Sequence, residues 1–211
     1  MNSARYNTDD LIETQFQAGS NKRVLKNLLD IKSRRALDGQ EAIKLFHASF
    51  WAIERYPVNH RFSANDIKQL HKQWLGEIYP WAGEYRQVNI SKGNFTFAMA
   101  AQVPRLMAEF ERDVLAKFTP CNFKNEADVI DALAITHCEL VLIHPFREGN
   151  GRASRLLTTI MALQAGLPIL NFSGIVGKAK QAYFAAVQAG LSRDYEPMKK
   201  ILSKVIAKSK D

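Results

Sequence analysis

The residue types that handle phosphate are concentrated in one short run, His144-Pro-Phe-Arg-Glu-Gly-Asn-Gly-Arg-Ala-Ser-Arg155. Gly149 and Gly151 let the backbone approach a phosphate with no Cβ in the way. Arg152 and Arg155 lie three apart, so on a helix both guanidinium forks leave from one face. Glu148 is a hard oxygen ligand, suited to a Mg²⁺ ion held mainly by polyphosphate. His144, with an ordinary pKa near neutrality, suits a general base. A phosphate cradle, a metal carboxylate, two arginines and a base point to phosphoryl or nucleotidyl transfer. Such reactions depend on positioning and charge neutralisation more than on covalent catalysis.

Two helices must position these groups. Residues 125–143 carry an apolar period through Val129, Ile130, Leu133, Leu140 and Ile143. That helix has to stop at His144, because a residue before proline is pushed out of helical geometry. A second helix is predicted from about Asn150 to Ala165, ended by Gly166 and Pro168. The amides at its start lack intrahelical partners and carry partial positive charge, which makes an anion site. His144 closes one helix and faces the opening of the next.

The remaining signals are also helical. Asp38-Gly-Gln-Glu41 reads as a capping box, with Ile43, Phe46, Phe50, Trp51 and Ile53 as the apolar positions that follow, until Pro57. Ser63-Ala-Asn-Asp66 reads as a second box, and Pro104 suits the first turn of a helix through Leu115. Further helices are predicted at about 175–189 and 195–208. One hairpin is predicted between Tyr85 and Phe97, around Lys92-Gly93-Asn94. The fold class is all-α with one β excursion.

With 46% apolar and 24% charged residues the chain reads as one globular domain, with no apolar run long enough to cross a membrane. Met1–Asp10 is polar without a signal-peptide core, and Cys121 and Cys138 lack a disulfide or metal spacing. The expectation is a cytoplasmic protein with reduced thiols. The net charge of +8 is spread along the chain, and the lysines of 199–210 sit at the spacing of a solvated helix face. Direct nucleic-acid binding is therefore not expected. His47, His60, His71 and His137 read as structural or surface residues, and Trp51, Trp74 and Trp81 as packing.

The run from His144 to Arg155 resembles the signature of Fic proteins, H-P-F-x-[D/E]-G-N-G-R-x-x-R, at every specified position. Trp81-Ala-Gly-Glu-Tyr-Arg86 with Val88–Phe97 is similar to the family's segment leading into a β-hairpin flap, and Asp194–Met198 to its closing segment. The resemblance implies a Fic fold, a helical bundle with a small β-hairpin flap beside the active-site loop. It divides the chain into an N-terminal extension (1–20), a Fic domain (21–205) and a C-terminal tail (206–211). It implies a protein adenylyltransferase that uses ATP and Mg²⁺, with His144 as the base and Glu148 on the metal. The implied nucleotide residues are Phe146, Arg147, Gly149, Asn150, Gly151, Arg152, Arg155, Lys92, Gly93 and Tyr183, with Phe146 also seating the loop and Tyr183 in the adenine pocket. The flap residues Asn89, Ile90, Ser91, Phe95, Thr96 and Phe97 would pair with the target's backbone. The resemblance implies that a Tyr, Thr or Ser hydroxyl would accept AMP, and a DNA topoisomerase is one target it suggests.

Many Fic proteins are inhibited by an [S/T]-x-x-x-E-[G/N] motif whose glutamate pairs with the second signature arginine, here Arg155. Ser192 to Glu196 has the spacing but is followed by Pro197. It is read as coincidence, which implies a toxin-like member inhibited by a separate small antitoxin carrying that motif on a helix. Two alternatives stand beside this reading: transfer of another nucleotide or a phospho group, and a non-catalytic regulator that binds nucleotide or nucleic acid. Doc-type relatives that phosphorylate carry Lys where Gly151 stands, which argues against a kinase.

Overall fold

A computed structural model describes residues 11–210. The first ten residues of the predicted N-terminal extension, and Asp211 of the predicted tail, lie outside the described residues. A 3-10 turn (Ile12–Thr14) precedes α1 (Arg34–Arg55) and α2 (Ala64–Leu75), and a hairpin of β1 (Ser91–Lys92) and β2 (Phe95–Thr96) follows. Then come α3 (Val103–Phe110), a π turn (Glu111–Leu115), α4 (Ala116–Phe118), α5 (Glu126–Ile143), α6 (Asn150–Gln164), α7 (Gly177–Ala189) and α8 (Glu196–Lys210). The fold is mostly helical with one antiparallel pair, registered Ser91 to Thr96 and Lys92 to Phe95.

Helix α5 is the axis of the molecule, its buried positions Leu133, Ala134, His137, Cys138, Leu140 and Val141 packed among α3, α6, α7 and α8. Each of its large apolar side chains contributes roughly 1.5–3 kcal/mol by leaving water. Asn125 caps it by accepting from the Asp128 amide, and His144 ends it in the left-handed region at φ 53°. A smaller cluster, Val24, Leu37, Ala48, Trp74, Leu75 and Tyr79, joins α1 and α2 to the N-terminal segment. Among the described residues no helix is long and apolar enough to cross a membrane. Both cysteines are free and buried, and burial pushes their thiols up to about 12.

The Ser63–Asp66 capping box forms as predicted, with Ser63 Oγ accepting from the Asp66 amide and Asp66 accepting from the Ser63 amide. Pro104 stands in the first turn of α3. The predicted box at Asp38–Glu41 does not form. Helix α1 begins earlier, where Ser33 accepts from the Ala36 amide, so Asp38 lies inside it and pairs with Arg34 at 2.9 Å. Its core face is correspondingly rotated. Leu37, Glu41, Ala48 and Ala52 are buried, while Ile43, Phe46, Phe50 and Ile53 are exposed and only Trp51 packs partly against the core. The periodicity located an apolar stripe correctly, but that stripe faces outward.

Candidate active site

The left-handed turn at His144 aims its ring at the start of α6. The backbone N–H of His144 donates to Leu140 at 3.1 Å, and Nδ1 lies 3.0 Å from the Val141 carbonyl. A carbonyl can only accept, so Nδ1 carries the proton and Nε2 keeps a free lone pair. The ring lies flat on Phe97, with centroids 3.6 Å apart and planes 19° from parallel. Burial, with the Arg86 charge adding to it, holds the His144 pKa down at about 4. The near-neutral value expected for an exposed imidazole is thus corrected. The ring is a neutral acceptor across the physiological range because the cavity disfavours its cation.

Gly149 turns the chain into α6. Its φ of +83° and the Trp74 ring, 2.7 Å from where a Cβ would sit, together require glycine. Asn150 closes the loop reciprocally: its Oδ1 accepts from the Phe146 amide and its Nδ2 donates to the Phe146 carbonyl, each at 2.8 Å. Phe146 is fully buried, stacked on His71 at 3.8 Å. His71 accepts from the Gly83 amide at Nδ1, so its Nε2–H donates to the Glu148 carbonyl at 3.1 Å. Helix α6 has no side-chain cap, which leaves its leading amides available to an anion.

These elements enclose a cavity of about 450 Å³. Its walls include Lys92, His144, Glu148, Gly149, Asn150, Gly151, Arg152, Arg155, Lys180 and Tyr183. An apolar side chamber of about 280 Å³ shares Lys92, His144, Gly151 and Tyr183 with it and adds Phe95, Phe97 and Val187. Tyr183 is fixed there by a 2.6 Å hydrogen bond to His137, which also meets Thr158 at 2.9 Å. Lys92, on the hairpin, places its Nζ 4.0 Å from the Phe184 ring centroid.

The two signature arginines differ in their partners. Arg152 pairs with the fully buried Glu41 at 2.6 Å, lies over the Trp74 ring and stands 3.7 Å from Glu148. Arg155 has no carboxylate partner among the described residues, and burial pushes its pKa down. Glu196, the glutamate of the Ser192–Glu196 spacing, pairs with Lys199 at 2.8 Å. Glu148 accepts from the Gly149 amide at 3.0 Å, and among the described residues no cluster of three His, Cys, Asp or Glu forms a metal cage.

Some sequence-nominated residues stand away from this cavity. Arg147 donates from Nε to the Glu13 carbonyl at 2.9 Å and does not line it, while Phe146 serves the loop from within the core. Gly93, Asn89, Ile90, Ser91 and Thr96 lie on the hairpin outside both chambers. Glu41, His71 and Arg86 were not nominated. Glu41 is the first half of an ion pair whose other half is far away in sequence, and His71 carried no local motif.

The Fic/DOC family profile matches residues 61–162, the segment from α2 through most of α6. The chain carries a Fic/DOC domain. Its similarity to relatives runs well beyond the profile. A protein of Escherichia coli (strain K12) named probable protein adenylyltransferase Fic is 28% identical over 191 residues, covering 88% of this chain and 89% of that protein. The protein adenylyltransferase VbhT of Bartonella schoenbuchensis is 32% identical over 151 residues, or 69% of this chain, which spans only 30% of VbhT. Among solved structures, the BepC protein of Bartonella tribocorum with bound AMPPNP superposes with a TM-score of 0.75 at 20% identity, covering 92% of this chain and 96% of that one. That likeness establishes the Fic fold.

Proposed function

We propose that this Fic/DOC chain transfers AMP from ATP to a Tyr, Thr or Ser hydroxyl of another protein. It is an enzyme, a nucleotidyltransferase of the protein adenylyltransferase class, as its named relatives are. The observation that carries the reading is the pairing of a neutral His144, its Nε2 free, with the unpaired Arg155 across one cavity. In the reaction, Nε2 takes the proton of the target hydroxyl and the oxygen attacks the α-phosphorus. The bond from that phosphorus to the bridging oxygen breaks, and pyrophosphate leaves with the electron pair. The α6 amides and Arg155 hold the anion, and the apolar chamber by Tyr183 takes the base. Glu148 is the residue that would hold Mg²⁺. A single carboxylate fits an ion that takes its other ligands from phosphates and water, and the ion would neutralise phosphate charge.

The target is read as an added strand on the hairpin, whose exposed edge is two residues long on each side. The toxin role is supported by a groove of about 510 Å³ between α1 and α6. It is lined by the exposed Phe46, Phe50, Ile53 and Ile169 and reaches Arg152 and Arg155. An amphipathic antitoxin helix would lay its apolar face there and bring a glutamate to Arg155. Action in the cytoplasm, where ATP is abundant, accords with two free, buried thiols.

The test is to supply ATP labelled on the α- or the γ-phosphorus together with cell lysate or a purified topoisomerase. Label from the α position alone should enter protein, and His144→Ala should abolish it. Entry of γ label would establish phosphoryl transfer instead, and nucleotide binding without either would leave a regulator.

A further inference from the structure

Arg86 is only 2% exposed and forms no ion pair among the described residues. Burial pushes its pKa down, with the Glu13 carboxylate acting against that. Its charge is balanced by carbonyls. Nε donates to His144 at 2.6 Å, Nη1 to Val88 at 2.7 Å, and Nη2 to Ala98 at 2.5 Å and Ile143 at 3.4 Å. Its own amide donates to Pro145 at 2.9 Å. Val88 and Ala98 are the two feet of the hairpin, while Ile143, His144 and Pro145 form the negative end of α5 and the turn that bears the base.

We propose that Arg86 is a positioning residue that sets the target-docking hairpin at a fixed distance from the His144 ring, so that an acceptor hydroxyl arrives opposite Nε2. The inference rests on the adenylyltransferase reading for its purpose, but its geometry does not. One planar fork reaches both feet and the α5 terminus, and among the described residues no other side chain hydrogen-bonds to all three. The same alignment sets Phe97, just inside the second foot, flat against His144. Asn89 closes the feet independently, its Oδ1 accepting from the Ala100 amide at 2.8 Å on the exposed side, without touching α5. Lysine at position 86 would keep the charge, but its single nitrogen cannot bridge three separated segments.

The test compares Arg86→Lys with Asn89→Ala by hydrogen exchange of the whole chain and by AMP transfer to lysate proteins. In Arg86→Lys, exchange should rise about tenfold or more both across residues 88–98 and at the amides of Ile143 and His144, while the rest of α5 stays protected. Transfer should fall about tenfold or more at saturating ATP, since the α6 amides and Arg155 that face the phosphates do not depend on Arg86. In Asn89→Ala, exchange should rise in the hairpin alone. A rise confined to one of the two regions in Arg86→Lys, a joint rise in Asn89→Ala, or a raised KM for ATP with unchanged saturating rate would overturn the proposal. Should Arg86→Lys fail to fold, Asn89→Ala decides, because a joint rise there places the coupling in Phe97 and not in Arg86. Absence of transfer by the wild-type chain would sink the enzymatic reading while leaving the exchange result to be judged alone.

Discussion

Arg152 and Glu41 form an ion pair at 2.6 Å, with Glu41 fully buried and also accepting from the Tyr79 hydroxyl at 2.7 Å. The pair ties α6 to α1 and spends the first signature arginine partly on the fold. Arg155 has no such partner among the described residues and lines the cavity. The two arginines of the motif are alike in type and unlike in what they face.

Replacing Glu41 by Gln keeps the volume and removes the charge. A loss of about 1–3 kcal/mol in unfolding free energy is expected. A double-mutant cycle with Arg152→Met should give a coupling of roughly 1–3 kcal/mol. Urea unfolding of the four proteins measures it, and strict additivity would show that the pair contributes nothing.

Removing Arg155 takes a cation from a buried position where, among the described residues, no carboxylate pairs with it and the Phe172 ring lies 6.0 Å away. Arg155→Met is expected to leave the melting temperature unchanged or higher. Nucleotide affinity should fall about 10- to 100-fold, the loss of a charge-assisted contact. Calorimetric titration with a non-hydrolysable triphosphate checks this, and undiminished affinity would move the phosphate elsewhere.

Gly149 and Gly151 should respond in opposite ways. Gly149→Ala places a Cβ 2.7 Å from Trp74 at a φ of +83°, so it should destabilise the fold by about 2 kcal/mol or more. At Gly151 a Cβ meets nothing within 4 Å, yet the residue lines both chambers. Gly151→Ala should fold normally and weaken nucleotide binding. Thermal melts beside binding curves separate the two.

Burial holds His71 and His144 at about 4 and His137 at about 3, below their unfolded values near 6.5. Between those values the unfolded chain binds more protons than the folded one. Stability is therefore complete above about pH 6.5 and is lost as the pH falls toward 4, by roughly 1.4 kcal/mol per pH unit for each histidine. Urea midpoints at pH 7, 6 and 5 should decline progressively, and His71→Gln should decline less steeply. A flat profile would mean that the histidines are charged in the folded state.

The gathering of the signature residues around one cavity was legible in the sequence because it is local. From His144 to Arg155 the cradle, the base and the paired arginines follow from the end of one helix, two glycines and the start of another. Spacing also located most helices, since capping and proline restrict the backbone over a few residues. It misplaced the start of α1, because Asp38 and Ser33 both offer an oxygen to a helix start and only packing selects between them. It found the apolar positions from Ile43 to Ile53 without saying what covers them, since periodicity identifies an apolar face and not its neighbour.

Contacts between distant segments were decided by the tertiary structure alone. The sequence determined which residues could grip a phosphate and take a proton. The fold decided that Arg152 is bound by Glu41, that Arg155 has no carboxylate partner among the described residues, that His144 is kept neutral, and that Arg86 joins the hairpin to the His144 turn. Charge pairing, desolvation and carbonyl satisfaction depend on distances through space, which one-dimensional spacing does not contain.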